Sequence, residues 1–229
     1  MAYPDGAIHL KFIVIGEQSC GKTALMRRFT EQRFYSKAPP TLTVDVTNKA
    51  IIVENTNVVL HIADTAGQER FRAVTKSYYR GSAAVVLVFD ITQHTTFENL
   101  GVWLTDIENL TDVGTVCALV GNKLDLQANR QVSFGEAQAF AIENRMTYFE
   151  TSAKTGLNVD SVFLTLTNMI VKRVKGGEMR LRGDKSDSVV VIGKGSDDDE
   201  DEDDDEDDDE RRRRRDERIK KQNEDSCSC

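Results

Sequence analysis

The sequence of 229 residues has few cysteines and no long apolar segment, and each absence excludes a class of protein. Its four cysteines are two isolated residues, Cys20 and Cys117, and a C-terminal pair, Cys227 and Cys229. This spacing forms neither a disulfide framework nor a zinc-binding motif. The early apolar run FIVI is too short for a membrane span or a signal peptide, and Asp5 precedes it. We therefore expect a chain that is made in the cytosol.

The net charge of −8 comes from one end of the chain. Residues 197–229 carry 18 of the 38 acidic side chains and 8 of the 30 basic ones, which leaves residues 1–196 at +2. The charged end contains fourteen consecutive acidic residues followed by five arginines. Because such composition is typical of disorder, we expect a disordered tail over 176–229. Residues 8–175 are expected to form one domain with a sizeable core.

Apolar runs of strand length alternate with segments of helical periodicity in residues 8–175. The alternation predicts an α/β fold, with a mostly parallel six-stranded sheet flanked by about five helices. The strands are predicted near 10–16, 43–54, 57–64, 83–90, 115–121 and 146–150, and the helices near 22–31, 70–80, 96–110, 133–144 and 158–175. The polar turn 55–57 predicts that the second and third strands form an antiparallel hairpin. In such sheets, ligands bind beyond the carboxyl ends of the strands.

The stretch GEQSCGKT, residues 16–23, lies between the first predicted strand and the first predicted helix. A glycine-rich turn in this place matches a phosphate-binding loop, in which successive backbone N–H groups surround the phosphates. Lys22 is expected to bridge the β- and γ-phosphates, and the hydroxyl of Thr23 to ligate magnesium. The other residues expected to contact the nucleotide in this loop are Gly16, Gln18, Ser19, Cys20 and Gly21. The loop alone does not identify the base.

Three further motifs follow predicted strands: DTAGQE at 64–69, GNKLD at 121–125 and TSAK at 151–154. Together with the phosphate loop they resemble, in order and spacing, the nucleotide-binding motifs of the Ras superfamily of small GTPases. The chemistry of Asp125 agrees with this resemblance, because its carboxylate can accept from both N1–H and the 2-amino group of guanine. Adenine offers neither donor, so ATP would leave the carboxylate unpaired.

The resemblance implies roles for several residues around the base. Asn122 would brace the base loop, Lys123 and Lys154 would pack on the faces of the base, and the Ala153 N–H would meet the guanine O6. Ser152 belongs to the same nucleotide-binding motif. Phe34 falls where the family places an aromatic side chain against the base.

The resemblance also implies how the γ-phosphate is sensed. Thr41 stands nineteen residues after Lys22 and would complete the magnesium shell with Thr23, while Asp64 would hold the ion through water. The Gly67 N–H would contact the γ-phosphate, and Gln68 would be the catalytic residue that orients the attacking water. The segment around Thr41 is here called the first switch segment. It contains no arginine that suggests a built-in arginine finger. We therefore expect slow hydrolysis that needs an activating protein, and slower still because Gln18 lies close to the expected γ-phosphate position.

Residues 67–92 and the terminal CSC resemble the Rab family, and the resemblance covers about residues 8–175 plus the last three. It implies a GTP-hydrolysing switch that alternates between GDP and GTP forms to recruit effectors in vesicle traffic. Cys227 and Cys229 would carry two prenyl groups. Rab effectors commonly pack on three aromatic residues. Val46 and Ala63 stand at two of these positions, and only Tyr78 is still aromatic, so the identity of the effectors cannot be inferred from the family.

The implied partners are GTP and GDP, Mg²⁺, effectors, an exchange factor, an activating protein and escort or dissociation-inhibitor proteins. We expect a monomer in the cytosol and, through its lipids, on the cytoplasmic face of an endomembrane, with no nucleic acid bound. Two alternatives remain. A GTP-binding scaffold without useful turnover is favoured by Gln18, and single-turnover hydrolysis would distinguish it. The other alternative takes the acidic tract and the arginines 211–215 as a nuclear or nucleic-acid-directed tail on a GTPase body, and the terminal CSC opposes it.

Overall fold

The computed structural model describes residues 6–36, 41, 44–65, 72–183 and 189–193. Tertiary contacts divide the chain into Met1–Gly195 and Ser196–Cys229, and all described residues belong to the first part. The strands are β1 Ile8–Ile15, β2 Asp45–Val53, β3 Thr56–Asp64, β4 Ala84–Asp90, β5 Val116–Asn122, β6 Thr147–Glu150, β7 Met179–Gly183 and β8 Val189–Gly193. The helices are α1 Lys22–Glu31, α2 Arg72–Tyr79, α3 His94–Glu98, α4 Leu100–Leu110, α5 Phe134–Glu143 and α6 Val159–Lys175.

The main sheet has the strand order β2-β3-β1-β4-β5-β6. Only β2 is antiparallel to its neighbour, so the predicted mostly parallel six-stranded sheet is confirmed. The order runs one way from β1 to β3 and the other way from β1 to β4, which opens a crevice at the carboxyl end of β1. The phosphate loop begins at that end.

Two apolar layers cover the sheet, because the side chains of its strands alternate between the faces. On one face, Phe12 packs with Phe163 of α6, and the ring of Phe163 also stacks on Phe29 of α1 at a centroid distance of 4.1 Å. On the other face, Phe89 and Trp103 of α4 belong to a second buried cluster. Every residue of β4 is buried, as expected for a central strand covered on both faces.

Three local predictions differ from the structure. The β2–β3 turn is Glu54-Asn55, with φ of 47° and 60°, and Thr56 already pairs with Val53. Positive φ at both central residues gives a two-residue turn whose twist fits a hairpin, so the predicted three-residue turn over 55–57 was wrong. The helix predicted over 96–110 begins at His94 and is divided at Asn99 into α3 and α4. A 3₁₀ helix, Leu124–Asn129, was not predicted.

The region expected to be a disordered tail contains a hairpin. Strands β7 and β8 pair in antiparallel register from Met179 opposite Gly193 to Gly183 opposite Val189. Met179 is buried in the same cluster as α6, and the β-branched run at 189–192 suits a strand. These two segments are strands within the region where the sequence predicted disorder, while 184–188 and 194–229 lie outside the described residues, and for them disorder stays a prediction.

Candidate functional site

Two glycines lie near the two ends of the phosphate loop, and any side chain at either position would force the neighbouring atoms to move. Gly16 has φ 134°, and a Cβ there would lie 2.1 Å from the carbonyl oxygen of Val88. Gly21 has φ 94°, and a Cβ there would lie 2.4 Å from Nδ2 of Asn122. Both the backbone conformation and the close approach therefore require glycine. Between them Gln18 and Ser19 are exposed, whereas Cys20 is buried.

Lys22 lies across the loop that precedes it. Its Nζ donates to the carbonyl oxygens of Gly16 at 2.9 Å and Glu17 at 2.8 Å, and the side chain is 5% exposed. The ammonium thus bridges the two ends of a turn whose N–H groups open α1. An ammonium and the N-terminus of a helix together form a site for an anion.

The three residues predicted to surround magnesium are brought together. Thr23 Oγ1 donates to Asp64 Oδ2 at 2.5 Å, lies 2.9 Å from Thr41 Oγ1, and Thr41 Oγ1 lies 3.4 Å from the same carboxylate oxygen. Asp64 is 1% exposed, and its Oδ1 has no hydrogen-bond partner among the described residues. Burial raises the pKa of this carboxyl, against the opposing effect of the Thr23 hydrogen bond and the Lys22 charge. A buried carboxylate oxygen without a partner, beside two hydroxyls, is an oxygen set that fits Mg²⁺.

The residues after Asp64 are only partly described. Thr65 is buried, and its hydroxyl donates to the carbonyl oxygen of Val14 at 2.8 Å, which joins the end of β3 to β1. Gly67 and Gln68, predicted to contact the γ-phosphate and the attacking water, lie outside the described residues, and so do Cys227 and Cys229. Their roles remain predictions.

Asn122 connects the phosphate loop with the loop 151–154. Its Nδ2 donates to the Cys20 carbonyl oxygen at 2.9 Å, and its Oδ1 accepts from the Thr151 hydroxyl at 3.3 Å and from the Ala153 N–H at 3.2 Å. The bracing role implied for Asn122 matches these contacts. The Ala153 N–H, however, already has a partner in Asn122, so its contact with a guanine O6 would require this hydrogen bond to be shared or replaced.

Asp125 is held in place from the 151–154 loop. Its Oδ1 accepts from the Ser152 hydroxyl at 2.6 Å, and its Oδ2 lies 3.8 Å from Lys154 Nζ. The carboxylate borders a cavity of about 280 Å³ whose lining includes Gly21, Ala24, Phe34, Asn122, Asp125 and Lys154. The cavity is therefore lined by residues of the phosphate loop, the first switch segment and the loops 122–125 and 151–154. Its volume and its mainly apolar lining, with the Asp125 carboxylate at its border, suit a small planar heterocycle.

Two contributors to this site were not predicted from the sequence. Asp90, at the end of β4, is buried and pairs with Lys123 across 2.6 Å, which fixes the lysine that was expected to pack on the base. Arg28 of α1 donates to the carbonyl oxygens of Ala153 and Lys154. No local pattern marks either residue, because each acts on a loop far away in the sequence.

The residues at the three aromatic positions of Rab proteins are spread over two strands and a helix. Val46 is 48% exposed and lies opposite Ala63 in the β2–β3 register, whereas Ala63 is 1% exposed. Tyr78 of α2 is partly buried and packs against the cluster that contains Ala63. Among the described residues, no helix has the length and hydropathy needed to cross a membrane.

Comparison with known proteins agrees with this geometry. The Ras family model matches residues 11–172. Ras-related protein Rab-4 of Dictyostelium discoideum is 44% identical over 172 residues, which cover 75% of this chain and 84% of the relative. Ras-related protein Rab-2B of the same organism is 42% identical over 165 residues, covering 72% and 82%. Ras-related protein Rab-4A of Danio rerio is 47% identical over 169 residues, covering 74% and 79%.

Proposed function

The chain belongs to the Ras family of small GTPases, on its Rab branch, and from this premise we propose which of its residues bind and hydrolyse the nucleotide. As a Rab-like GTPase it binds guanine nucleotide, hydrolyses GTP to GDP and phosphate, and acts as a switch in membrane trafficking. The observation that carries the residue assignment is the meeting of Thr23, Thr41 and Asp64 beside the phosphate loop.

The phosphates bind between the backbone of residues 16–21 and the ammonium of Lys22. The contacts of Lys22 with two loop carbonyls support this, because they hold the ammonium at the loop, and no carboxylate of the described residues forms an ion pair with it. Thr23, Thr41 and Asp64 hold Mg²⁺, which supplies charge neutralisation to the phosphates when bound. The unpartnered Oδ1 of Asp64 supports that assignment.

The base binds in the cavity between α1 and the loops 122–125 and 151–154. Asp125 accepts from N1–H and the 2-amino group of guanine, and its fixed position beside Ser152 supports this role. Phe34, Lys123 and Lys154 pack around the base. Asp125 would lose both of these hydrogen bonds with adenine. ATP would therefore bind more weakly than GTP, by about 1–3 kcal/mol for each lost partner.

Hydrolysis depends on Gln68, which orients the attacking water, while Gly67 and Thr41 change contacts when the γ-phosphate leaves. We expect a slow intrinsic rate that an activating protein raises, because no residue of the first switch segment supplies an arginine finger. Regulatory and effector proteins are the partners of a Rab-like switch.

Membrane attachment uses two prenyl groups on Cys227 and Cys229. One lipid chain gives only marginal residence on a membrane, whereas two give a stable anchor, so both cysteines are needed. The attachment holds the protein on the cytoplasmic face of an endomembrane, and prenylated chains require an escort protein in the cytosol.

Equilibrium binding tests the assignment. Labelled GTP is bound to the full chain and displaced by unlabelled GTP or ATP, first in magnesium and then with a chelator. The proposal expects ATP to compete at least about thirtyfold less well and the chelator to weaken GTP binding. Equal competition by ATP would refute the base assignment. A GTP affinity that the chelator leaves unchanged would refute the assignment of Thr23, Thr41 and Asp64.

A further inference from the structure

Arg28 ties helix α1 to the loop 151–154. Its Nε donates to the Ala153 carbonyl oxygen at 2.8 Å, and its Nη2 donates to the Lys154 carbonyl oxygen at 2.5 Å. The planar guanidinium is suited to this, because its donors reach two neighbouring acceptors at once. Gly156, with φ 89°, allows the chain to turn against the Arg28 side chain, from which a Cβ there would be 3.6 Å.

These contacts complete a closed ring of hydrogen bonds around the base cavity. The Ala153 N–H is held by Asn122, Asn122 is held to the Cys20 carbonyl, and Cys20 leads directly into α1. Arg28 supplies the remaining link, from α1 back to Ala153. Both peptide groups of Ala153 are therefore fixed, the N–H side by β5 and the carbonyl side by α1.

The place of Arg28 on the helix determines what the link does. Ala24 lines the base cavity, and Arg28 lies four residues further along the same face of α1. The arginine thus holds the loop one helical turn beyond Ala24, through the carbonyl oxygens of Ala153 and Lys154 and not through the groups of these residues that are expected to contact the base. Arg28 sets how far the 151–154 loop stands from α1, and so how readily that side of the cavity opens.

The geometry points to Arg28 as a positioning residue that keeps the base cavity closed and so slows nucleotide dissociation, without taking part in the choice of guanine. This inference rests on the proposed base site. It assigns the two properties to different residues: Asp125 selects the base, and Arg28 sets the lifetime of the complex. Nη1 of Arg28 also donates to the Gln32 carbonyl oxygen at 3.1 Å, and stabilising the end of α1 is the alternative role that the test has to separate.

Dissociation kinetics separate the two roles. The full chain is loaded with a fluorescent GDP, and release is followed after an excess of unlabelled GDP is added in magnesium. Arg28→Ala is expected to release GDP about 10–100-fold faster, as for lost hydrogen bonds to a charged group. Arg28→Lys should recover little of this, because the donors of a lysine ammonium all lie on one atom and cannot occupy both the Nε and the Nη2 positions of the guanidinium. Arg27→Ala is the matched control, since Arg27 is the preceding residue and faces Tyr35 instead.

Two further measurements identify a positioning effect. Ethylguanidinium in solution should slow GDP release from Arg28→Ala and leave the wild type unchanged. The inosine analogue IDP lacks the 2-amino group from which Asp125 accepts a hydrogen bond, and Arg28→Ala should accelerate GDP and IDP release by the same factor. Thermal unfolding of each variant reports any general loss of stability, and Arg28→Gln replaces Arg28→Ala if the alanine variant does not fold.

The outcomes decide between the proposals. Wild-type release rates in Arg28→Ala, or full recovery by Arg28→Lys, would overturn the positioning role while leaving the base site intact. An unfolding midpoint that falls with no change in GDP release would assign Arg28 only to the end of α1. If the wild type fails to prefer GDP over ADP, the proposed base site itself is wrong.

Discussion

The side-chain amide of Asn122 donates to the backbone carbonyl of Cys20 across 2.9 Å, within the proposed nucleotide site. One buried side chain from the end of β5 thereby joins the phosphate loop to the loops expected to hold the base. The contact also explains why residue 21 is glycine, because any Cβ there would collide with the same amide. If the proposed site is right, Asn122 links the binding of the base to the binding of the phosphates.

Replacing Asn122 with alanine should weaken both ends of the site. The change leaves the Cys20 carbonyl and the Ala153 N–H without their partner, at a cost of about 1–3 kcal/mol for each buried group. We expect weaker binding of GDP and a lower free energy of unfolding in the nucleotide-free protein. Titration calorimetry and chemical denaturation measure the two effects, and loss of only one of them would contradict the link.

Replacing Asp125 with asparagine should abolish the preference for guanine. The amide offers one acceptor and one donor where guanine presents two donors, so one accepted hydrogen bond is lost and one N–H faces another. Competition between GTP and ATP checks this, with Asp112→Asn as a control at an aspartate that accepts from the Gly81 N–H instead. A retained preference in Asp125→Asn would place base recognition elsewhere.

Replacing Gln68 with leucine should slow hydrolysis and leave GTP affinity nearly unchanged. The proposed role of Gln68 is to orient the water, and a group that acts only in the transition state affects turnover without affecting ground-state binding. Single-turnover hydrolysis and equilibrium binding of the same preparations provide the comparison. Equal rates in the two proteins, with and without an activating protein, would favour the scaffold alternative, in which the nucleotide is bound but not usefully turned over.

The thiols of Cys20 and Cys117 should be inert in the native protein. Burial raises both pKa values, that of Cys117 to about 11, and disfavours the reactive thiolate. At pH 8 only about one Cys117 thiol in a thousand is ionised. Alkylation followed by mass spectrometry should find both cysteines unmodified until the protein is unfolded. Rapid modification of Cys20 in the folded protein would contradict its burial beneath the phosphate loop.

Replacing Gly101 with alanine should stabilise the protein. Gly101 lies in α4, and a Cβ there would meet no atom within 4 Å. Alanine restricts the unfolded chain and favours the helix, for a gain of about 0.5–1 kcal/mol. Thermal unfolding of Gly101→Ala measures the gain. The same change at Gly16 should be strongly destabilising, because its Cβ would overlap the Val88 carbonyl.

The sequence predicted the parts of this structure that depend on local pattern. The continuous apolar run of β4 marked a central strand, and the glycines and Lys22 marked the phosphate loop. The meeting of Thr23, Thr41 and Asp64 could be expected because family spacing places these residues at adjoining strand and helix ends.

Features that depend on long-range contacts could not be predicted from the sequence. Arg28 is one of two consecutive arginines on α1, and only the position of the loop 151–154, more than 120 residues away, distinguishes it from Arg27. The hairpin β7–β8 follows a Gly-Gly pair and precedes a charged run, and composition alone favoured disorder there. The structure has a hairpin there, with β7 and β8 paired and Met179 buried, and composition does not reveal either contact.

The nucleotide carried by the purified full-length chain tests the central claim most directly. The protein is purified in magnesium, freed of unbound nucleotide and denatured, and the released bases are identified and counted by chromatography. The account predicts guanine nucleotide, chiefly GDP, close to one per chain, and its loss when the same protein is first treated with a chelator. Adenine nucleotide, or none from a folded protein that also fails to bind added GDP, would contradict it.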